Sequence, residues 1–227
     1  LYRGADRAIL LTDRRAAASD TLATSYILSR AVKTVGDYDF VFCGRQAIDG
    51  DTAQVGPQCA EKLEIPQVTY LEAVVHVTGG VARIRRNVGH GWEIVEVKLP
   101  VLVTVLETAN QPRPCAAKRV MALKRAKTLG ELVGEVRKEM PDAIDAQRDA
   151  EVQRLTNGLK GRGLLIEQWD LDDIGADLER CGLAGSPTKV HRIQAIVLTK
   201  EGYTEIPPNE EGARQLIHEL VVDRTLG

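Results

Sequence analysis

The spacing of apolar positions changes along the chain, and each change predicts an element. Residues 7–12 (RAILLT) form a short continuous apolar run, which predicts a buried strand. Over residues 21–35 the apolar positions Leu22, Tyr26, Ile27, Ala31 and Val32 recur at the three- and four-residue spacing of a helix. Residues 38–43 (YDFVFC) predict a second strand, 44–51 (GRQAIDGD) a loop and 52–63 a helix. Strand, helix, strand, loop, helix is the order of a parallel α/β sheet, whose strands are covered on both faces by the connecting helices.

The middle of the chain changes character. Residues 67–77, 81–88 and 92–98 have strand composition and are separated by the turn signals Gly79-Gly80 and Gly89-His90-Gly91, which predicts an antiparallel meander. Residues 99–106 (LPVLVTVL) return to a continuous apolar run, a central strand with Pro100 near its start. A basic helix is expected over 116–126, and charged, weakly amphipathic helices over 128–140 and 145–159. Residues 167–178 (EQWDLDDIGADL) read as an acidic turn or short helix, and Asp172 and Asp173 as a helix start. Residues 181–189 (CGLAGSPTK) read as a loop, 190–199 as a strand and 210–226 as a final amphipathic helix. The fold class is therefore α/β: a mostly parallel sheet flanked by helices, with an antiparallel meander and a C-terminal arm. Three parts are expected: an α/β domain over 1–127, a helical insertion over 128–169, and a C-terminal loop and arm over 170–227.

Composition narrows the chemistry. The 227 residues carry a formal net charge of −2 and only 4% aromatics, so neither a strong basic field nor a stacking platform draws the chain to nucleic acid. Cys43, Cys59, Cys115 and Cys181 have no CxxC spacing, and the four histidines have no partners at metal-ligand spacing, so no metal is expected. Scattered cysteines fit a reducing compartment, a bacterial or archaeal cytoplasm before a mitochondrial matrix. No apolar run reaches the roughly 18–20 residues of a membrane span.

The candidate chemistry lies in VFCGRQAIDGDTAQVGPQ (residues 41–58), where a buried strand ends at Cys43-Gly44 and a helix follows. Ligands of open α/β sheets bind beyond the carboxyl ends of the strands, and a helix N-terminus offers free amides to an anion. A phosphate there is expected to meet amides near Thr52, Ala53 and Gln54, with the Thr52 hydroxyl as a further donor. Gly44 and Gly50 would let backbone approach closely. Asp49 and Asp51 cannot hold phosphate and are expected to fix the loop or to accept hydrogen bonds from ribose or flavin. The same residues also suit an ordinary strand–loop–helix in which Asp51 only caps the helix. Neither GxGxxG nor GxxxxGK[ST] occurs.

Four ordered segments resemble the beta subunit of the electron-transfer flavoproteins: GRQAIDGDTAQVGPQ (44–58), IRRNVGHGWEIVEVKLPVLVT (84–104), TANQPRPCAAKRVMALKRA (108–126) and LDDIGADLERCGLAGSPTKV (171–190). The resemblance implies an adenine-nucleotide-hydrolase-like fold and a heterodimer with a larger alpha subunit that holds the electron-transferring FAD. It also implies a nucleotide site on this chain formed by Cys43, Gly44, Arg45, Gln46, Ala47, Asp49, Gly50, Asp51, Thr52, Ala53, Gln54, Val55, Gly56 and Pro57.

In ordinary members of the family that site holds structural AMP. In electron-bifurcating members it holds a second FAD that accepts a hydride from NADH. The forms GDTAQVGP (50–57) and AGSPTK (184–189) resemble the bifurcating or nitrogen-fixation-linked branch, which favours FAD over AMP. Leu183 lies where the family has a leucine that docks into a partner flavoprotein dehydrogenase of acyl-CoA, enoyl-CoA or hydroxy-acid type. Two departures stand out. The family opens with a strand, loop and helices ahead of the stretch resembling GADRA (4–8), and they would form one wall of the adenine pocket. Residues 128–169 are also longer than the usual connection. A universal-stress-type nucleotide-binding module, or a subunit with an empty pocket, is the alternative reading.

Overall fold

A computed structural model describes residues 1–189 and 205–222. These fall into two units, 1–189 and 190–227, considered separately below.

The first unit is built on two sheets. A five-stranded sheet has the order β2 (Phe40–Gly44), β6 (Val101–Val105), β3 (Gln67–Thr78), β4 (Val81–Asn87), β5 (Trp92–Lys98). The first three strands are parallel, with Phe40 opposite Val101 and Gln67 opposite Leu102, and the last three are an antiparallel meander. β6 is an interior strand between β2 and β3, and Val101, Leu102, Val103 and Thr104 are all buried, which accounts for its unbroken apolar run. Val101 and Val103 join Val68, Leu71, Ala82 and Ile84 in one core cluster. Leu102 faces the other way, onto Cys59 and Ala60 of helix α2 (Val55–Leu63). Helix α1 (Thr21–Val35) packs against α2.

The second sheet is parallel, with the order β1 (Ile9–Leu11), β8 (Leu165–Trp169), β7 (Lys127–Thr128). The pairing of β1 was not legible in the sequence: although followed directly by α1 and β2, it lies in a different sheet from β2. Residues 167–169, read as the start of an acidic turn or short helix, are instead the end of β8. Tertiary pairing with β1 overrides the local acidic pattern there. A core cluster of Tyr26, Ile27, Leu171, Ile174 and Cys181 joins α1 to the turns that follow β8.

The remaining helices follow the pattern of the sequence. The basic helix α3 (Ala117–Leu123) buries none of its residues. α4 (Leu129–Glu139) opens with a capping box in which the Thr128 hydroxyl accepts from the Glu131 amide and Glu131 accepts from the Thr128 amide. It buries Leu132 and Val136, whereas α5 (Asp145–Gly161) buries only Leu159. No described helix is long and apolar enough to cross a membrane.

In the second unit, α6 (Glu210–Val222) begins where the Asn209 side chain accepts from the Gly212 amide. It exposes Leu216, Ile217, Val221 and Val222. The strand expected over 190–199 and the last residues of the expected helix lie outside the described residues.

Candidate functional site

The segment singled out in the sequence leaves the carboxyl end of β2, beside the carboxyl end of β6. α2 begins three residues later than expected, at Val55, so Thr52, Ala53 and Gln54 belong to the loop. Asp51 is not the cap. The N-cap is Gln54, whose side chain makes no capping bond and instead accepts from the Thr21 hydroxyl at 2.9 Å. The helix N-terminus that faces the loop is thus left without a side-chain cap, and its open amides are those of Val55 and Gly56. Pro57 has no N–H to leave unpaired in that first turn.

The loop is shaped by its own polar groups. Gln46 donates to the Asp51 carboxylate, the Gly50 amide donates to Asp49 Oδ1 at 2.9 Å, and the Asp51 amide donates to the Ala47 carbonyl at 3.0 Å. Both carboxylates are engaged in fixing the turn, one of the two roles expected of them. Asp51 and Ala53 have positive φ angles of 50° and 53°, and for Ala53 the left-handed region carries a steric cost of about 1–2 kcal/mol. Residues 44–52 are otherwise open. A Cβ on Gly44 would meet nothing within 4 Å, and one on Gly50 only the Thr52 methyl at 4.0 Å. Ile48, at the loop tip, is 99% exposed. Arg45 lies over the Tyr70 ring, 5.7 Å from its centroid.

Gly56, in the first turn of α2, differs from Gly44 and Gly50. A Cβ on it would lie 2.7 Å from Thr104 Cγ2 and 3.6 Å from both Cys43 Cβ and a Leu102 methyl. Its requirement is for close packing of α2 on the ends of β2 and β6. Cys43 and Cys59 face this interface. Burial raises the Cys43 thiol above its ordinary range. Burial, reinforced by the nearby Cys43, pushes Cys59 up to about 12. Neither is a ready thiolate nucleophile.

Sequence reasoning did not single out Thr21, Tyr70 or Thr104. Tyr70 sits at a β-bulge in β3 with φ 57°, and its amide donates to the buried Thr104 hydroxyl at 3.1 Å. A lone hydroxyl inside the apolar run VLVTV was the available signal for Thr104. Neither of two cavities in the first unit, one lined by residues of β1, α1 and Leu171 and the other by α1, α2 and Arg180, includes a residue from 44–57. Residues 44–52 are exposed to solvent.

Leu183, expected to dock a partner, is 56% exposed and lies in a turn anchored to α1. The Gly182 amide donates to Ser19 Oγ, the Asp20 amide to Ser186 Oγ, and the Thr188 amide to Asp20 Oδ2. Asp20 Oδ1 caps α1 by accepting from the Leu22 and Ala23 amides. Burial opposes ionisation of Asp20, but the amides of Ala23, Thr188 and Leu22 and the Thr188 hydroxyl outweigh it and hold its pKa below the ordinary range. With Thr21 bonded to Gln54, consecutive residues at the N-terminus of α1 hold both segments: Ser19 and Asp20 bond to the Leu183 turn and Thr21 to the 44–57 loop.

The sequence family described as electron transfer flavoprotein domain matches residues 1–156. The electron transfer flavoprotein subunit beta of Clostridium acetobutylicum is 38% identical over 220 residues, covering 97% of this chain and 70% of that protein. Protein FixA of Rhizobium leguminosarum bv. phaseoli is 37% identical over 224 residues, covering 96% of this chain and 67% of that one. The caffeyl-CoA reductase-Etf complex subunit CarD of Acetobacterium woodii is 37% identical over 192 residues, covering 85% of this chain and 58% of CarD. By its family match and these relatives, the chain belongs to the beta-subunit line of the electron transfer flavoprotein family, whose chemistry is flavin-linked electron transfer and whose beta subunits act with an alpha subunit.

Proposed function

We propose that this chain is the beta subunit of a bifurcation-linked electron transfer flavoprotein and that its 44–57 loop holds FAD in preference to AMP. The observation that carries the reading is the uncapped N-terminus of α2 beyond β2, with Gly44 and Gly50 unobstructed and Ala53 held in a costly backbone region. The residues present fit a nucleotide. The Val55 and Gly56 amides and the positive end of α2 suit a phosphate. The Thr52 hydroxyl is available as a further donor. The Thr21–Gln54 bond steadies the loop, and Asp49 and Asp51 keep its turn closed. Arg45, resting on Tyr70, adds a cation at the same end of the sheet.

A bound FAD would supply hydride acceptance from NADH and one-electron transfer, while the chain's own part is to position the cofactor and set its electrostatic surroundings. Similarity to FixA and to a subunit of a caffeyl-CoA reductase-Etf complex supports the bifurcation-linked branch and a partner dehydrogenase of the enoyl-CoA class. On this reading Leu183 is the docking residue, residues 205–222 belong to the arm that meets the alpha subunit, and the complex works in a bacterial cytoplasm. Family membership sets the universal-stress-type alternative aside.

The test is cofactor extraction from the native heterodimer, with FAD and AMP counted separately and NADH reduction followed by flavin absorbance. Two FAD and reduction by NADH are expected. One FAD and one AMP would return the chain to the ordinary branch, with the same loop holding AMP. One FAD and no nucleotide on this chain would reject the site.

A further inference from the structure

A cavity of about 280 Å³ opens between α1, α2 and Arg180, lined by Tyr26, Ser29, Arg30, Lys33, Lys62, Glu64 and Arg180. Four of these side chains are cationic and one is anionic. Among the described residues, none of the four cations has an ion-pair partner within 4.0 Å, although ten ion pairs form elsewhere. Like charges gathered in a concave wall repel one another, and the arrangement is relieved when an anion enters.

Two of the cations are held in place. Arg30 Nε donates to the Ile174 carbonyl at 3.1 Å, which fixes its guanidinium at the cavity wall. The Arg180 guanidinium stacks 4.0 Å from the centroid of Tyr26, whose hydroxyl is itself fixed by the Asp177 amide at 2.9 Å. A planar guanidinium fixed in this way keeps its remaining N–H groups in a fork that matches phosphoryl or carboxylate oxygens.

We propose that this cavity is a second anion site, distinct from the 44–57 loop, and that it takes a small, multiply charged anion of the diphosphate class. Its volume, at the lower edge of the roughly 300–1,000 Å³ typical of pockets for drug-sized ligands and cofactors, suits a small anion better than a whole dinucleotide. The formal charge of the lining matches an anion carrying several negative charges. The site also stands apart from the proposed nucleotide site. Thr21 and Gln54 meet at the N-terminal ends of α1 and α2, whereas Lys33 and Lys62 lie in the last turns of these helices. Along α2 alone the separation is about 12 Å at the helical rise per residue. The inference is therefore independent of whether the loop holds FAD or AMP.

The simplest competing role for Lys33 and Lys62 is to offset the negative ends of the helix dipoles. Titration of inorganic pyrophosphate into the native heterodimer, loaded with its nucleotide and held at constant ionic strength, separates the two. Saturable binding is expected, weakened at least ten-fold by Lys33→Gln with Lys62→Gln and also by Arg180→Gln alone. The charge-matched pair Lys138→Gln with Lys160→Gln, on α4 and α5, should leave it unchanged. Absence of saturable binding, equal affinity in the cavity variants, or equal loss in the Lys138/Lys160 control would overturn the proposal. The nucleotide content of each preparation, measured in parallel, keeps this result separate from the test of the cofactor.

Discussion

Thr104 on β6 and Gly56 on α2 are so close that a Cβ on the glycine would lie 2.7 Å from the Thr104 methyl. The hydroxyl of the same threonine accepts the Tyr70 amide at 3.1 Å. One buried side chain thus sets how near α2 approaches the sheet and replaces a ladder bond at the bulge in β3. Gly56→Ala is expected to destabilise by about 1–3 kcal/mol through overpacking, and so to lower Tm by several degrees. Combining it with Thr104→Ser, which removes the clashing methyl and keeps the hydroxyl, should recover much of that loss. Thermal unfolding of the two single variants and the double variant measures the coupling, and strict additivity would show that the two residues do not meet.

Thr104→Val keeps the volume and removes the acceptor. The Tyr70 amide is then left without its partner, at a cost of about 1–3 kcal/mol. Chemical denaturation should show a lower midpoint with an unchanged slope, because the compactness of neither state is altered.

Asp20 caps α1 with one carboxylate oxygen and holds the Thr188 amide with the other. Asp20→Ala should cost about 1 kcal/mol or somewhat more, since a capping residue and a tether are lost together. Its folded pKa is depressed, so its contribution is fully present above the unfolded aspartate value of about 4 and is lost as pH falls through the lower folded value. Asp13 behaves alike and more strongly. The Arg15 guanidinium, outweighing burial and aided by the Arg15 and Leu171 amides, holds it well below the carboxylate range. Tm of the parent protein is expected to fall between pH 4 and pH 2, and the fall should be smaller in Asp20→Ala and Asp13→Asn.

Leu183→Ala tests docking without testing the fold. Leu183 is 56% exposed, so Tm should change by no more than about 1 °C, as for an ordinary surface substitution. If Leu183 anchors the dehydrogenase, affinity for it should drop by about ten-fold or more, the behaviour of an interface hot spot. Surface plasmon resonance with the heterodimer reads this directly, and unchanged affinity would remove Leu183 from the interface.

Thiol labelling should follow accessibility and thiolate character. Cys115 is exposed, Cys43 is half-buried, and Cys59 and Cys181 are buried. Burial raises the pKa of all three of the less exposed thiols. At pH 8 a disulfide reagent should modify Cys115 in a fast phase, with Cys59 reacting only on unfolding. Mass spectrometry of the fast-phase product identifies the site.

Much of the architecture was legible because periodicity reports the number of buried faces locally. The unbroken run in β6 marked a strand covered on both sides, and the span of α1 was readable from Leu22, Tyr26, Ile27, Ala31 and Val32 alone. The 44–57 segment could likewise be chosen from its chain order and glycines, and four matching segments pointed to the family. Spacing along the chain carries no record of partners distant in sequence. It could not put β1 beside β8, start α2 at Val55, or give Gly56 rather than Gly44 and Gly50 the tightest packing requirement. Nor could it gather Arg30, Lys33, Lys62 and Arg180 around one cavity. Those outcomes depend on which surfaces meet when the sheets and helices pack, and only the tertiary fold decides that.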